Sequence, residues 1–240
     1  MTSGCGTHRA PKAIADDLVV CVPSDTVALA GVHLARVRTT PLYAALPTAW
    51  QAFLEPLAGA TDVLIAWNGR DVLLIAQGSF PSPPPGAVLV SPTLALIGPP
   101  AAVQAATAQR KTGRTGVPEL LAHAALAAPG LIWLAVEGRT ALPLTGNFAN
   151  VNRVLRLVDY ATLTLDLDSR VDLRLHGVSH SAEEARQLEE SLRALVSLAA
   201  ASARDADVAA LLKSIQVMRD GAAVEMAASA SVTALEKLLR

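Results

Sequence analysis

The chain has 240 residues, a net charge of -1 and a 52% hydrophobic content. Its length allows one large domain or two smaller ones, and no uninterrupted apolar run reaches the roughly 18 residues of a membrane-spanning helix. Near-neutral charge and 3% aromatic residues exclude a basic surface with stacking platforms, so we expect no nucleic-acid partner.

Small residues precede Cys5 in the stretch Thr2-Ser3-Gly4-Cys5. This stretch resembles the end of a bacterial lipobox, and with it the chain resembles uncharacterised bacterial exported proteins and lipoproteins. The resemblance implies lipidation at Cys5, a flexible tether over residues 1–17, and a location in the cell envelope, membrane-anchored or periplasmic. A cytoplasmic location is the alternative, because no basic and apolar signal regions precede Cys5 in this sequence.

The first half of the chain alternates between strand and helix signals. Strands are predicted at 18–22 and 26–32, and a helix is predicted to begin at Thr40-Pro41. A hairpin is predicted around Asn68-Gly69, because this dipeptide favours a tight turn between strands. Further strands are expected at 87–90, 93–97 and 131–136, with helices at 100–109 and 117–127 before the last of them.

A second hairpin is predicted around Asp168-Ser169-Arg170, where leucines alternate with polar residues on both sides. A three-residue loop pairs Leu167 with Val171 and Leu165 with Leu173, which keeps one apolar face and one polar face. A third hairpin is predicted at Asp220-Gly221, with Val217 opposite Val224 and Ile215 opposite Met226.

A long helix is predicted to begin at Ser181, which forms a capping box with Glu184. Its apolar stripe is expected to cover the leucine face of the second hairpin, whereas Glu189, Glu190 and Arg193 are expected to be exposed. The stripe consists of Ala185, Leu188, Leu192, Leu195 and Ala199.

These elements predict an α+β fold with a mainly antiparallel sheet and helices packed on one face. The hairpin turns at Asn68 and Asp168 lie 100 residues apart, with Leu73 matching Leu173. We therefore expect two duplicated α+β halves, at 18–140 and 141–240, either as separate units or as one continuous domain.

The candidate ligand-binding residues are Asn147, Asn150, Asn152 and Arg153, which form a polar cluster at the start of a predicted helix, 147–158. Free N–H groups at a helix start and an arginine can bind a carboxylate, phosphate or hydroxyl group. The alternative is a structural role, in which Asn147 caps the helix and Arg153 is solvated.

No nucleophile is paired with a base in the sequence, and His176 and His180 lack a spacing that directs both rings to one metal. We therefore expect no metal, no cofactor and no catalytic residues. The sequence favours a non-catalytic binding or scaffold module of the bacterial cell envelope, with an unknown protein or small ligand as partner and membrane contact only through Cys5. The alternative is a small-ligand-binding protein or enzyme that uses the cluster 147–153.

Overall fold

The computed structural model describes residues 14–41, 43, 54–140, 151–167, 170–203 and 205–231. These residues form an α+β fold around one ten-stranded sheet in which all neighbouring strands are antiparallel. The predicted fold class is therefore confirmed.

The strands follow one another along the chain mostly as hairpins. Their bounds are β1 Ala28–Val32, β2 Ala60–Trp67, β3 Val72–Gly78, β4 Ala87–Ser91, β5 Leu94–Ile97, β6 Ile132–Glu137, β7 Tyr160–Leu167, β8 Arg170–Val178, β9 Gln216–Asp220 and β10 Ala223–Ser231.

Helices occupy the longer connections between the strands. Their bounds are α1 Asp16–Val19, α2 Leu34–Val37, α3 Pro100–Lys111, α4 Pro118–Ala127, α5 Val151–Leu155, α6 Ala182–Ser202 and α7 Ala206–Ser214, with a 3₁₀ turn at Glu55–Leu57. Among the described residues, no helix is long and apolar enough to cross a membrane.

The strand order is the same in both halves when it is followed outward from the central β1–β6 pair. One side runs β1-β2-β3-β5-β4 and the other runs β6-β7-β8-β10-β9. The sequence predicts that Leu73 and Leu173 occupy equivalent positions in the two halves. The registers instead place these two leucines on opposite faces of the sheet. A common origin of the halves stays a prediction.

Face A of the sheet carries the largest core. Leu29, Leu64, Ile75 and Trp133 point to this face and are buried against α1, α3 and α4. The helices contribute the buried residues Leu18, Val103, Ala106, Leu120, Leu121 and Ala124. Because these helices pack on β1, β2, β3, β5 and β6, the core of face A covers the β1–β5 side of the sheet and extends onto β6.

Face B, the opposite side, is also covered by helices, whereas the sequence predicts helices on one face only. Val63 and Ala76 pack against Leu34, Leu57 and Phe80. In the second half, the α6 residues on this face pack with Val136, Ala161, Val217 and Val224. The sheet is therefore the middle of three layers in the described part of the chain.

The N-terminal region differs from its prediction. Residues 16–19 form the helix α1, where a strand had been expected at 18–22 and a tether through residue 17. Leu18 and Val22 are buried under face A, and only 4% and 0% of their surfaces are exposed. The aliphatic composition of this run favours a strand, but tertiary burial decides its conformation.

The long helix α6 begins as predicted, because the Oγ atom of Ser181 accepts a hydrogen bond from the backbone N–H of Glu184 at 3.2 Å. It packs on the predicted face of the sheet, but over other strand positions than predicted. Leu188 lies next to Gly177, where an added Cβ would be 3.5 Å from its Cδ2, and α6 covers the ends of β7 and β8 together with β9 and β10. Leu165, Leu167 and Val171 instead belong to a cluster with Val37 and Leu131.

One of the three charged residues expected to be exposed on α6 is half-buried. The Glu189 side chain is 20% exposed and accepts hydrogen bonds from Arg193 on α6 and Arg219 on β9. The hydrogen bond from Arg193 is the main cause that lowers the pKa of Glu189 below its ordinary value. Glu190 and Arg193 are exposed, as predicted.

The registers of the second and third hairpins test the loop arguments. Leu167 pairs with Val171 and Leu165 with Leu173, which confirms the register predicted for the β7–β8 hairpin. In the β9–β10 hairpin, Val217 pairs with Met226 instead of Val224, a shift of two residues. A shift of two residues leaves every side chain on the same face of the sheet, so the apolar pattern cannot exclude it. The observed register makes Gly221 the first loop residue, and its positive φ of 55° suits a tight turn.

The packing of α6 predicts unequal effects of two substitutions on stability. Leu192 is 7% exposed within the face B core, so Leu192→Ala should lower the free energy of unfolding by about 2–5 kcal/mol through lost burial and a cavity. Glu190→Ala removes only an exposed ion pair with Arg186 and should change the free energy of unfolding by about 0.5 kcal/mol or less. Urea titrations of both variants measure this; equal midpoints would show that the packed face of α6 is wrongly assigned.

Candidate functional site

The polar cluster proposed from the sequence lies only partly in the described structure. Asn147 and Asn150 lie outside the described residues. Asn152 is half-buried and Arg153 is exposed, both on the short helix α5. The binding role of this cluster therefore stays a prediction, as does lipidation of Cys5, which also lies outside the described residues.

Several cavities open on the described surface, and they differ in chemistry. A cavity of about 590 Å³ is lined by five prolines, four of them in the loop 81–85, together with Glu55, Phe80 and small residues. A second, of about 570 Å³, lies between α4 and the β7, β8 and β10 strands and combines apolar with charged side chains. Ligand sites typically combine an apolar surface with a few converging polar groups, so we take the second cavity as the candidate site.

We call this cavity the groove. It is lined by Leu126, Ala127, Pro129, Gly130, Thr162, Thr164, Asp166, Arg174, Leu175, His176, Glu225, Met226 and Ala227. Its floor is the second half of face A, over which the core formed by α1, α3 and α4 does not extend.

The polar floor of the groove follows from strand alternation. Thr164 is paired with Arg174, and Arg174 with Ala227 on the next strand. Two pairs further along the ladder lies an equivalent row, formed by Thr162, His176 and Glu225. Because residues two apart share a face, these two rows point to the same side of the sheet, opposite the leucines.

The wall of the groove is the C-terminal end of α4 and the turn that follows it. Leu126 is 68% exposed at the rim and adds apolar surface to the wall. The turn approaches β7 closely, since a Cβ added at Gly130 would lie 3.1 Å from the Cβ of Thr164. An apolar wall thus stands directly beside the polar floor.

Asp166 connects the floor to the wall. Its Oδ1 atom accepts a hydrogen bond from the backbone N–H of Leu131 at 3.0 Å. Leu131 is only 3% exposed, so this bond satisfies a donor that water does not readily reach. The carboxylate is therefore held in place by the backbone.

Arg174 lies in the middle of the floor, and its guanidinium group makes no ion pair or hydrogen bond within the described part of the chain. Arg174 is exposed, and it shares the lack of a partner with other exposed arginines such as Arg36. What distinguishes Arg174 is its position in the groove. A guanidinium without a protein partner can bind a carboxylate or phosphate through paired N–H donors.

An aromatic stack lies on the same face, where β7 begins. The rings of His123 on α4 and Tyr160 on β7 are parallel, with centroids 3.5 Å apart. The His176 ring is 6.2 Å from that of Tyr160 and tilted by 48°. This contact fixes α4 against β7 and so helps to hold the wall of the groove in position.

A smaller cavity of about 160 Å³ contains a histidine–aspartate pair. The Nδ1 atom of His33 lies 2.6 Å from Asp62, and its Nε2 atom lies 3.1 Å from the carbonyl oxygen of Ala128. Both ring nitrogens thus have protein partners, and the pair links β1, β2 and the end of α4. We interpret it as structural.

The two histidines considered for metal binding are separated by their contacts. His176 faces the groove, whereas His180 lies 2.5 Å from Asp159. The described residues contain no group of three or more side chains placed to hold a metal. Cys21 is fully buried, and burial is the main cause that raises the pKa of its thiol above the ordinary value, which disfavours the reactive thiolate.

Comparisons with known proteins support the fold. No protein-family model matches the chain, and no curated protein matches it in sequence. Crystal form I of TP0453 is similar in structure, with a TM-score of 0.55 and 12% identity over 95% of this chain and 98% of that chain. Crystal form III gives a TM-score of 0.54 and 10% identity over 95% and 99% of the two chains. At these identities the likeness shows the fold alone.

Sequence reasoning missed the groove although its signal was present. The predicted β7–β8 register already places Asp166 opposite Asp172, with Arg174 two residues further along the same face. The contribution of α4 was not predictable from this pattern, because it depends on the β6–β7 pairing that brings α4 alongside β7.

The hydrogen bond to Leu131 makes a prediction about stability. Asp166→Ala leaves a buried N–H group without an acceptor and should cost about 1–3 kcal/mol. Asp166→Asn keeps a side-chain oxygen there and should change stability by about 0.5 kcal/mol or less. Urea unfolding of the two variants separates these effects. Equal losses of stability in the two variants would mean that the negative charge of Asp166 stabilises the fold, and not its role as hydrogen-bond acceptor.

Proposed function

We propose that the protein is a non-catalytic binding module that holds a small amphipathic molecule with an anionic group in the groove. The observation that carries this proposal is the unpaired guanidinium of Arg174 on the floor of a cavity with an apolar wall. The anionic group binds Arg174, and the apolar part of the molecule lies against Leu126 and Pro129.

A non-catalytic role is favoured by the chemistry of the lining. It contains two threonines as possible hydroxyl nucleophiles, but no hydrogen bond in the described part of the chain joins either hydroxyl to a base. His176 and Glu225 are neighbours on adjacent strands, but no ion pair joins them. The polar groups therefore supply recognition and orientation.

The binding proposal predicts a specific response to 4-methylpentanoate, a carboxylate with a branched apolar tail. In two-dimensional amide NMR spectra of the full chain, the shifted signals should cluster on β7, β8, β10 and the end of α4. Arg174→Gln should weaken binding by about tenfold or more through loss of the charge-assisted hydrogen bonds.

The matched control is Arg36→Gln, which removes an exposed arginine from α2, away from the groove. It should leave the affinity unchanged. Shifts outside the groove, or equal affinities of the two arginine variants, would contradict the proposed site.

We further propose that the module belongs to the bacterial cell envelope and is anchored through a lipid on Cys5. The support is the resemblance of Thr2–Cys5 to a lipobox. When the protein is expressed from its own gene in its own host, it should enter the detergent phase of a Triton X-114 extraction, and Cys5→Ala should move it to the aqueous phase. Cys21→Ala serves as the control and should stay with the detergent; an unchanged distribution of Cys5→Ala would exclude the anchor.

A further inference from the structure

Two carboxylates face each other on the floor beside the groove. Asp166 on β7 and Asp172 on β8 are direct cross-strand partners. Like charges in directly opposite positions of a sheet repel each other. Asp172 is exposed and Asp166 is half-buried, and no described cation forms an ion pair with either carboxylate.

Arg174 is the nearest cation by sequence and register, yet it does not relieve this repulsion. Arg174 lies two residues after Asp172 on β8. Its direct partner on β7 is Thr164, which makes Asp166 its diagonal neighbour. Diagonal neighbours in a sheet are roughly 7–8 Å apart, within reach of a long side chain. The guanidinium nevertheless forms no ion pair with Asp166 or Asp172.

The groove therefore presents one positive and one negative group, each with free bonding capacity. One oxygen of Asp166 accepts the Leu131 N–H, and its second oxygen has no described partner. Both groups lie on the floor beside the apolar wall formed by Leu126, Ala127 and Pro129. A complementary ligand needs a cationic group, an anionic group close to it, and an apolar substituent.

We infer that the ligand is a compact amphipathic zwitterion of the kind represented by an apolar α-amino acid. This inference rests on the proposed function and specifies its ligand. The ammonium group binds Asp166 and relieves its repulsion with Asp172, and the carboxylate binds Arg174. The apolar side chain lies along the wall at Leu126. Glu225, at the other end of the floor, adds negative potential that disfavours a purely anionic ligand.

Three probes with the same branched carbon skeleton test the charges separately. L-leucine carries both groups, 4-methylpentanoate lacks the ammonium group, and 3-methylbutylamine lacks the carboxylate. Calorimetric titration of the full chain should show that L-leucine binds about tenfold or more tightly than either of the others, because each charge-assisted contact contributes. This comparison uses only the unaltered protein.

Two substitutions assign the ammonium contact. Asp166→Asn keeps an oxygen for the Leu131 N–H but removes the charge, so the affinity for L-leucine should fall to that for 4-methylpentanoate. Asp172→Asn removes an equal charge from the opposite strand, at a position outside the groove lining, and L-leucine should keep most of its preference. Thermal unfolding verifies that both variants are folded.

The outcomes distinguish this inference from the proposed function. If L-leucine and 4-methylpentanoate bind equally and both depend on Arg174, the groove remains the site and the zwitterion is excluded. If Asp172→Asn abolishes the preference and Asp166→Asn does not, the assigned ammonium contact is wrong. If none of the probes binds at millimolar concentration, both the inference and the proposed function fall.

Discussion

The continuous sheet depends on close contact between β1 and β6, at the boundary of the two halves. Gly31 and Trp133 are direct partners there, and the indole lies over the bare backbone of Gly31. A Cβ at Gly31 would overlap the indole, at 2.1 Å from its Cε2 atom. Any side chain at this position would displace Trp133, which is 3% exposed in the face A core. The two halves can therefore share one core only with glycine on β1.

The groove exists because the two halves are covered differently on face A. The first half carries aliphatic residues such as Leu64 and Ile75 on this face, and α1, α3 and α4 bury them. The second half carries Thr164, Arg174 and Glu225 on the same face, and α4 reaches only its nearest strands. A similar strand order thus produces a packed layer in one half and a polar recess in the other.

Local patterns predicted the hairpins well. Alternation and loop length were sufficient for the β7–β8 register, and the Ser181 cap was readable from the side chain and the Glu184 spacing. The β9–β10 register was not determined by this reasoning, because a shift of two residues leaves every apolar side chain on its face. The observed register is the one that places Gly221, with its positive φ, in the turn.

Non-local features were beyond sequence reasoning. The helical conformation of residues 16–19, the placement of α6 over Val217 and Val224, and the wall at Leu126 all depend on which strands become neighbours. For the site, the opposed carboxylates followed from the predicted register, but their importance emerged only when Arg174 proved to be unpaired.

The central strand pair also constrains the order in which the molecule assembles. Each hairpin closes over a short stretch of chain, whereas residue 28 of β1 must find residue 136 of β6. Closing so long a loop costs entropy before the new contacts compensate for it, and non-local pairing slows folding. During synthesis, β1 has only β2 beside it until β6 leaves the ribosome. The open edge of β1 is thus a point at which a nascent chain is vulnerable to pairing with other strands.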